Sequence, residues 1–397
     1  MEDKSVNNLV EDYRSNRLSR RGFLRAATAL VGVTVAESLL ISCQANPPAP
    51  EELKESSAEA PAAPPSEPVA IISPAQKKVI NWEDCTKYKK DPPWTMANPT
   101  QGPTNSWALM LDGHTDYGRL EKYKDYFSDY FYADSGGNAA KQISDLESIL
   151  VKNPDIIIGG ALGAAGKAIF DQAYDSGIPL VIGQLPYESE KYTSFVNPDN
   201  WIIGAKFADW IARKLNGEGK ILMTSGIAGT DTAETRLSAA KEIFANYPGI
   251  EVLAHGYMDW SISKAKQGFE AWLASYTEVD AVWSDSAFMA WGAIEAFVEA
   301  EREIPPMTAE PLNGFLKLAK QHNVDFFARG YPNAYGLDFV DMAVNVLMGE
   351  VVPRFKDVPS IEFEKDKLDQ YLQPDESDDL WVDYRFPRSW IQKMFPK

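Results

Sequence analysis

The chain has 397 residues, 45% of them hydrophobic, with 39 Lys plus Arg against 57 Asp plus Glu and a net charge of -18. Such a length supports a sizeable core and two domains with appendages, and excludes a small stapled scaffold, since only Cys43 and Cys85 are available for pairing. The acidic balance, unbroken by any long basic block, argues against nucleic acid as a partner.

The first element in chain order is an address. Residues 19–43 read "SRRGFLRAATALVGVTVAESLLISC": an arginine pair, a short apolar run interrupted by Glu37, then Leu40, Ile41 and Ser42 ahead of Cys43. The run is a poor permanent membrane span. Pair, run and cysteine in that order resemble a twin-arginine export signal (residues 1–43) ending in a bacterial lipoprotein box. The resemblance implies that Cys43 is the lipidation site and the mature N-terminus. It also implies export, with a lipid anchor at the outer face of the cytoplasmic membrane; several acyl chains make that attachment firm, because one chain alone anchors marginally. Residues 44–76, rich in Pro, Ala, Ser and Glu, cannot bury enough apolar surface to offset their ordering entropy and read as a disordered tether.

From Trp94 onward short apolar runs alternate with segments of helical period, the pattern of βαβ units around parallel sheets. Strands are expected at "FYADS", "PDIIIGG", "IPLVIGQ", "KILMTSG", "IEVLAHGY" and "VDAVWSD". Between them, Ile203, Phe207, Ile211 and Leu215 recur four apart, and Leu237, Ala240, Phe244 and Tyr247 recur three or four apart, so two helices each lay one face on a sheet. Asp199 and Asn200 are candidate N-caps for the first of these.

Two glycine-rich turns raise the question of phosphate binding. In "IIIGGALGAAGKAIF" (156–170) five residues separate Gly160 from Gly166 and Ala168 follows Lys167, so the nucleotide P-loop spacing fails; Ala161 occupies a glycine position of the dinucleotide pattern. "ILMTSGIAGTDTAETR" (221–236) has no lysine after its glycines, so the Gly-Lys-Ser/Thr element of a phosphate loop is missing. No nucleophile elbow or paired-cysteine site is present, and His114, His255 and His322 are too dispersed for a metal site, so neither enzyme, metal nor cofactor is expected. Strand ends instead carry polar and aromatic side chains: Asn105, Trp107, Gln184, Arg236, Trp260, Asp285, Glu310 and Asn333. In open α/β sheets ligands sit at such ends. An arginine fork and carboxylates suit vicinal hydroxyls, and indole faces suit the C–H side of a sugar ring.

The stretches "DSGGNAAKQISDLESIL", "AYDSGIPLVI", "GIAGTDTAETR", "YPGIEVLAHGYMDWSISKA" and "EVDAVWSDSAFMAWGAIEAF" resemble the type I solute-binding proteins of ABC transporters, the ribose-binding-like periplasmic sugar-binding family. The tail, "YLQPDESDDLWVDYRFP" included, is similar to a lipoprotein subgroup. The resemblance implies an α/β fold of two Rossmann-like domains with parallel sheets joined by a three-stranded hinge. The first lobe is then 77–197 with 331–356, and the second lobe and tail 198–330 with 357–397. It implies a monomer that closes over a sugar-like solute and delivers it to an ABC permease. Arg236 matches the family's ligand arginine, Trp260 its stacking aromatic, Asn105 and Trp107 its first cleft loop, and Glu310 a ligand carboxylate. Gly159, Gly160, Gln184, Leu185 and Ser286 depart from the pattern, so the ligand stays open between a sugar and a nucleoside or signal molecule. A sensory role on the same fold also stays open, and a glycosidase using Asp285 and Glu310 is the weaker rival.

Overall fold

The computed structural model describes residues 71, 73, 81–183, 187 and 189–396. The expected signal with Cys43, the tether up to residue 70, and Gln184 lie outside these residues.

The chain enters through strand β1 (Trp82–Asp84) and then alternates: β2 (Trp94–Thr100), α1 (Ser106–Tyr117), β3 (Phe127–Asp134), α2 (Ala139–Leu150), β4 (Ile156–Gly159), α3 (Gly163–Asp175), β5 (Leu180–Ile182) and β6 (Ser194–Asn197). A second alternation follows: α4 (Asn200–Lys214), β7 (Glu218–Ser225), α5 (Asp231–Phe244), β8 (Gly249–Tyr257), α6 (Ile262–Ser275), β9 (Ala281–Ser284), α7 (Ala287–Glu299), β10 (Met307–Ala309), α8 (Asn313–Gln321) and β11 (Phe326–Arg329). The chain continues into α9 (Tyr335–Leu347), β12 (Val351–Pro353), β13 (Phe355–Asp357), β14 (Glu362–Glu364), α10 (Leu368–Tyr371) and α11 (Arg388–Met394).

These strands form two six-stranded sheets, ordered β13-β6-β5-β4-β2-β3 and β14-β11-β10-β9-β7-β8, while β1 pairs with β12. All neighbours within the two large sheets are parallel except β14, which runs antiparallel to β11. The inner strands β4 and β9 are buried at every residue, as parallel strands covered by helices on both faces must be. Edge strands β3 and β8 are mixed in exposure. The chain passes from one sheet to the other three times, at 198–199, 330–334 and 358–361.

Local chemistry fixes the helix starts. Asp199 accepts from the backbone N–H groups of Trp201 and Ile202, a cap worth about 1 kcal/mol to α4. Ile203, Phe207 and Ile211 are buried as the period demands, and so are Leu237, Ala240 and Phe244 on α5. These helices meet at Gly204, where a Cβ would stand 2.1 Å from the carbonyl oxygen of Arg236. That close approach sets the position of Arg236 at the sheet edge.

The end of the chain is expected to group with the second sheet. Residues 373–382 do pack there: Asn313 Nδ2 donates to the carbonyls of Gln373 and Ser377, and Val382 N–H to the carbonyl of Pro311. From Arg385 on, however, the chain lies on the helices of the first sheet. His114 of α1 packs on Phe386 at 4.1 Å between ring centroids, Tyr117 meets Trp390 edge-on at 5.6 Å, and Arg385 pairs with Asp338 of α9 at 2.8 Å. The physical reason is apolar: Phe386, Trp390 and Ile391 are each at most 8% exposed, and α1 supplies the surface that covers them.

Candidate functional site

A cavity of about 270 Å³ opens where the carboxyl ends of the strands face the crossing segments. Five residues singled out from the sequence stand on its wall: Asn105, Trp107, Arg236, Trp260 and Glu310.

Arg236 is 2% exposed, and its guanidinium is held by several partners. Nε donates to Asn200 Oδ1 at 3.0 Å and Nη1 to the Asp285 carbonyl oxygen at 2.5 Å, while Nη1 also lies 3.2 Å from Glu310 Oε1. The cation lies 5.1 Å from the centre of the Tyr331 ring. These bonds hold the fork rigid, which removes the entropic cost that a free arginine would bring to ligand binding. Burial pushes Glu310 up to about 7, although Arg236 beside it favours the charged form. Glu310 therefore exchanges a proton near neutrality and can donate to or accept from a ligand hydroxyl.

Trp260 is positioned by an unusual local backbone. Asp259 and Trp260 both sit in the left-handed region, at φ 52° and 50°, a conformation that costs non-glycine residues on the order of 1 kcal/mol each or more. What holds it is a set of hydrogen bonds: Met258 and Asp259 N–H groups donate to the carbonyls of Ser225 and Gly226, and Trp260 Nε1 donates to Asp285 Oδ1 at 3.1 Å. The indole lies so close to Gly226 that a Cβ there would stand 1.9 Å from Trp260 Cε2. Strand β8 thus ends in a ring laid flat across a glycine. The helix that follows is capped by Ser261, and the Asp259 carboxylate pairs with Lys264.

Two of the sequence-derived residues stand off the wall. Asp285 is fully buried one layer behind it: its Oδ2 accepts from the Gly226 N–H at 3.0 Å and its Oδ1 from Trp260, so both oxygens already serve the protein. Burial pushes it up to about 6 against the pull of Arg236. Asn333 is also fully buried, with Nδ2 against Met110 Sδ at 3.9 Å. Strand-end position singled them out; the partners of each side chain, Gly226 and Trp260 for Asp285 and Met110 for Asn333, hold it off the wall.

Neither glycine-rich turn is an open anion cradle. Gly226 N–H is taken by Asp285 and Gly229 N–H by Glu234 Oε1 at 2.8 Å. In the earlier turn the buried Gln142 accepts from Leu162 N–H and donates to the Gly160 carbonyl, both at 2.8 Å. Cys85 is buried, which pushes its thiol up to about 11 and leaves it inert at neutral pH. Among the described residues no group of three or more His, Cys, Asp or Glu is placed to hold a metal ion.

The wall also holds residues that strand-end reasoning missed: Gln101, Asp231, Ser286, Phe288, Tyr331 and Trp381. Ser286 and Phe288 follow β9 and obey the same strand-end rule, and Tyr331 follows the β11 end directly. Trp381 carries no such signal. It reaches the cavity through tertiary packing alone, edge-on to Phe288 at 5.7 Å. Trp107 is fixed in turn by donating its Nε1–H to the Tyr331 carbonyl at 2.8 Å. Asn105 caps α1 by accepting from Ala108 N–H at 2.9 Å, which leaves its amide N–H groups for the cavity. The result is a pocket with aromatic faces on several sides and a charged pair on its wall. Such a lining covers C–H surface and hydrogen-bonds hydroxyls in one act.

Comparison with known proteins agrees with this architecture. Residues 96–350 match the family model described as periplasmic binding protein domain. The xylitol-binding protein of Mycolicibacterium smegmatis is 27% identical over 176 residues, which are 44% of this chain and 50% of that one, so the chain spans only half of that relative. The ribose import binding protein of Haemophilus influenzae is 28% identical over 222 residues, covering 55% of this chain and 75% of that one. Among solved structures, an ABC transporter solute-binding protein from Bacillus halodurans with bound myo-inositol superposes with a TM-score of 0.63 at 22% identity, over 71% of this chain and 98% of that one.

Proposed function

The chain belongs to the periplasmic binding protein domain family, and from that premise we propose that it is an exported, lipid-anchored receptor that captures a sugar or related polyol and delivers it to an ABC permease. It is a solute-binding protein, not an enzyme. The observation that carries the ligand class is the Arg236–Glu310 pair, 3.2 Å apart on the wall of a cavity flanked by Trp107, Trp260 and Tyr331. Arg236 Nη2 has no protein acceptor among the described residues, so its two N–H groups serve vicinal hydroxyls, while Glu310 accepts from a third. The rings cover the apolar face of the same molecule. Relatives named for xylitol, ribose and galactofuranose support that class.

In this mechanism the solute enters between the two sheets and makes its full set of contacts only when they approach. Binding then shifts a pre-existing open–closed equilibrium by the difference in those contacts. The permease recognises the closed form. The arginine pair and Cys43 in the N-terminal segment support membrane attachment; no helix among the described residues is long and apolar enough to cross a membrane. A second reading, a nucleoside or furanosyl signal bound for transport or sensing, is favoured by the aromatic excess of the wall, because flat bases stack on such rings.

A thermal-shift screen against pentoses, hexoses, polyols, inositols and nucleosides tests the proposal. A ligand at about 100 times its dissociation constant stabilises the protein by about 2.7 kcal/mol. A rise in melting temperature with a sugar or polyol is expected. A shift with nucleosides alone would select the second reading, and none with any compound would overturn both.

A further inference from the structure

The tail behaves as part of both halves of the molecule. Residues 373–382 are bound to the start of α8 by Asn313 and by the Leu312–Trp381 bridge. Residues 385–394 lie on α1 and α9 of the first sheet. Between them the chain passes two of the three crossings: Asp383 packs against Gly330, where a Cβ would stand 2.5 Å from its Oδ2, and Arg385 Nη2 donates to the Pro359 carbonyl at 3.3 Å. The family match covers residues 96–350, and this segment follows it in the chain.

Trp381 sits at the junction. Its backbone N–H donates to Met110 Sδ at 3.2 Å and its Nε1–H to Ser106 Oγ at 3.2 Å, both on α1 of the opposite half. Four residues on, Arg385 N–H donates to Nε2 of His114, whose Nδ1–H donates in turn to the Met110 carbonyl at 2.7 Å. Met110 itself belongs to the apolar cluster of the second sheet and tail although it lies on α1. Any motion that separates α1 from the second sheet must therefore act on the tail.

We infer that residues 372–396 form a fourth connection between the two halves, one that carries Trp381 into the ligand wall and restrains opening of the cleft. Three crossing segments alone permit hinge rotation through changes in their φ and ψ dihedrals. A fourth link anchored by apolar packing at both ends limits the amplitude of that rotation and slows release of a bound solute. The ligand part of this inference rests on the proposed function; the restraint does not.

Hydrogen exchange read by mass spectrometry on the full chain, without ligand, tests the restraint directly. Arg385→Ala removes the bonds to Asp338 and Pro359 from a partly exposed side chain; Trp390→Leu loosens α11 from α1. Both are expected to raise exchange at least fivefold in peptides covering 103–110 and 226–232, which face the cleft, with peptides from β7 and β9 unchanged. Wild-type exchange at the cleft in both variants would overturn the inference, and so would uniform acceleration throughout the second sheet, which would make the tail ordinary core. A second arm adds xylitol, D-ribose or myo-inositol, whichever raises the melting temperature, and follows dissociation by stopped-flow tryptophan fluorescence. Release at least threefold faster in Arg385→Ala is expected, and an unchanged rate would overturn the coupling. If none of the three binds, the proposed ligand class is what fails, and the ligand-free comparison still decides the restraint.

Discussion

Replacing Arg236 by methionine keeps most of the side-chain bulk and removes the cation that faces Glu310 at 3.2 Å. Breaking a buried pair by deleting one partner costs about 3–5 kcal/mol. The pH dependence of that cost is the sharper prediction. Glu310 is held at about 7 in the folded protein, above its unfolded value, with Arg236 pulling it down. A carboxyl raised in this way binds more protons folded than unfolded, so stability falls as pH rises, until the folded value is passed. In the wild type that loss ends near pH 7; without Arg236 the folded value is higher and the loss continues. The stability gap between wild type and Arg236→Met therefore widens above pH 7, by up to about 1.4 kcal/mol per pH unit. Asp285, held at about 6 and likewise pulled down by Arg236, adds in the same direction from a lower pH. Urea unfolding at pH 6, 7, 8 and 9 measures the gap, and adding Glu310→Gln to Arg236→Met removes the Glu310 share. A gap that stays constant from pH 6 to 9 would refute the coupling of these groups. Solute affinity falls with it by one to two decades, since each charge-assisted bond contributes about 1.5–3 kcal/mol.

Gly226→Ala places a methyl group 1.9 Å from Trp260 Cε2, so the indole must leave its bed; overpacking of this kind costs about 1–3 kcal/mol. Altered tryptophan fluorescence and loss of solute binding are expected, and a variant with wild-type spectrum and affinity would remove Trp260 from the site. Asp383 is buried with both oxygens lacking a partner, and burial pushes it up to about 7. Asp383→Asn should therefore gain stability relative to wild type as pH rises from about 4 to 7. Melting temperatures at pH 5 and pH 8 check this, and an equal difference at both would contradict it.

Much of the architecture was legible in the chain because its strands are buried on both faces and its helices on one. The apolar runs at 156–159 and 281–284 and the four-residue recurrence from Ile203 state those burials directly, and they are local properties. The matching motif order made the family legible too. Trp260 and Glu310 could be picked out because they follow strands, where a parallel sheet presents its open edge, and Arg236, inside α5, because it matches the family's ligand arginine. Side-chain direction was not legible in the same way. Asp285 follows a strand just as Glu310 does, yet one stands behind the wall and the other on it, because Gly226 and Trp260 offer Asp285 two donors that no sequence pattern announces.

The sequence by itself determined the element order, the two-sheet α/β class and the kinds of side chain available at the cleft, since these follow from periodicity and from the chemistry of single residues. Only the tertiary structure decided that Trp381 closes the wall and that the tail returns to α1. The Trp381–Ser106 bond joins positions 275 residues apart, and a contact of that separation exists only after both sheets have formed and brought their surfaces within reach.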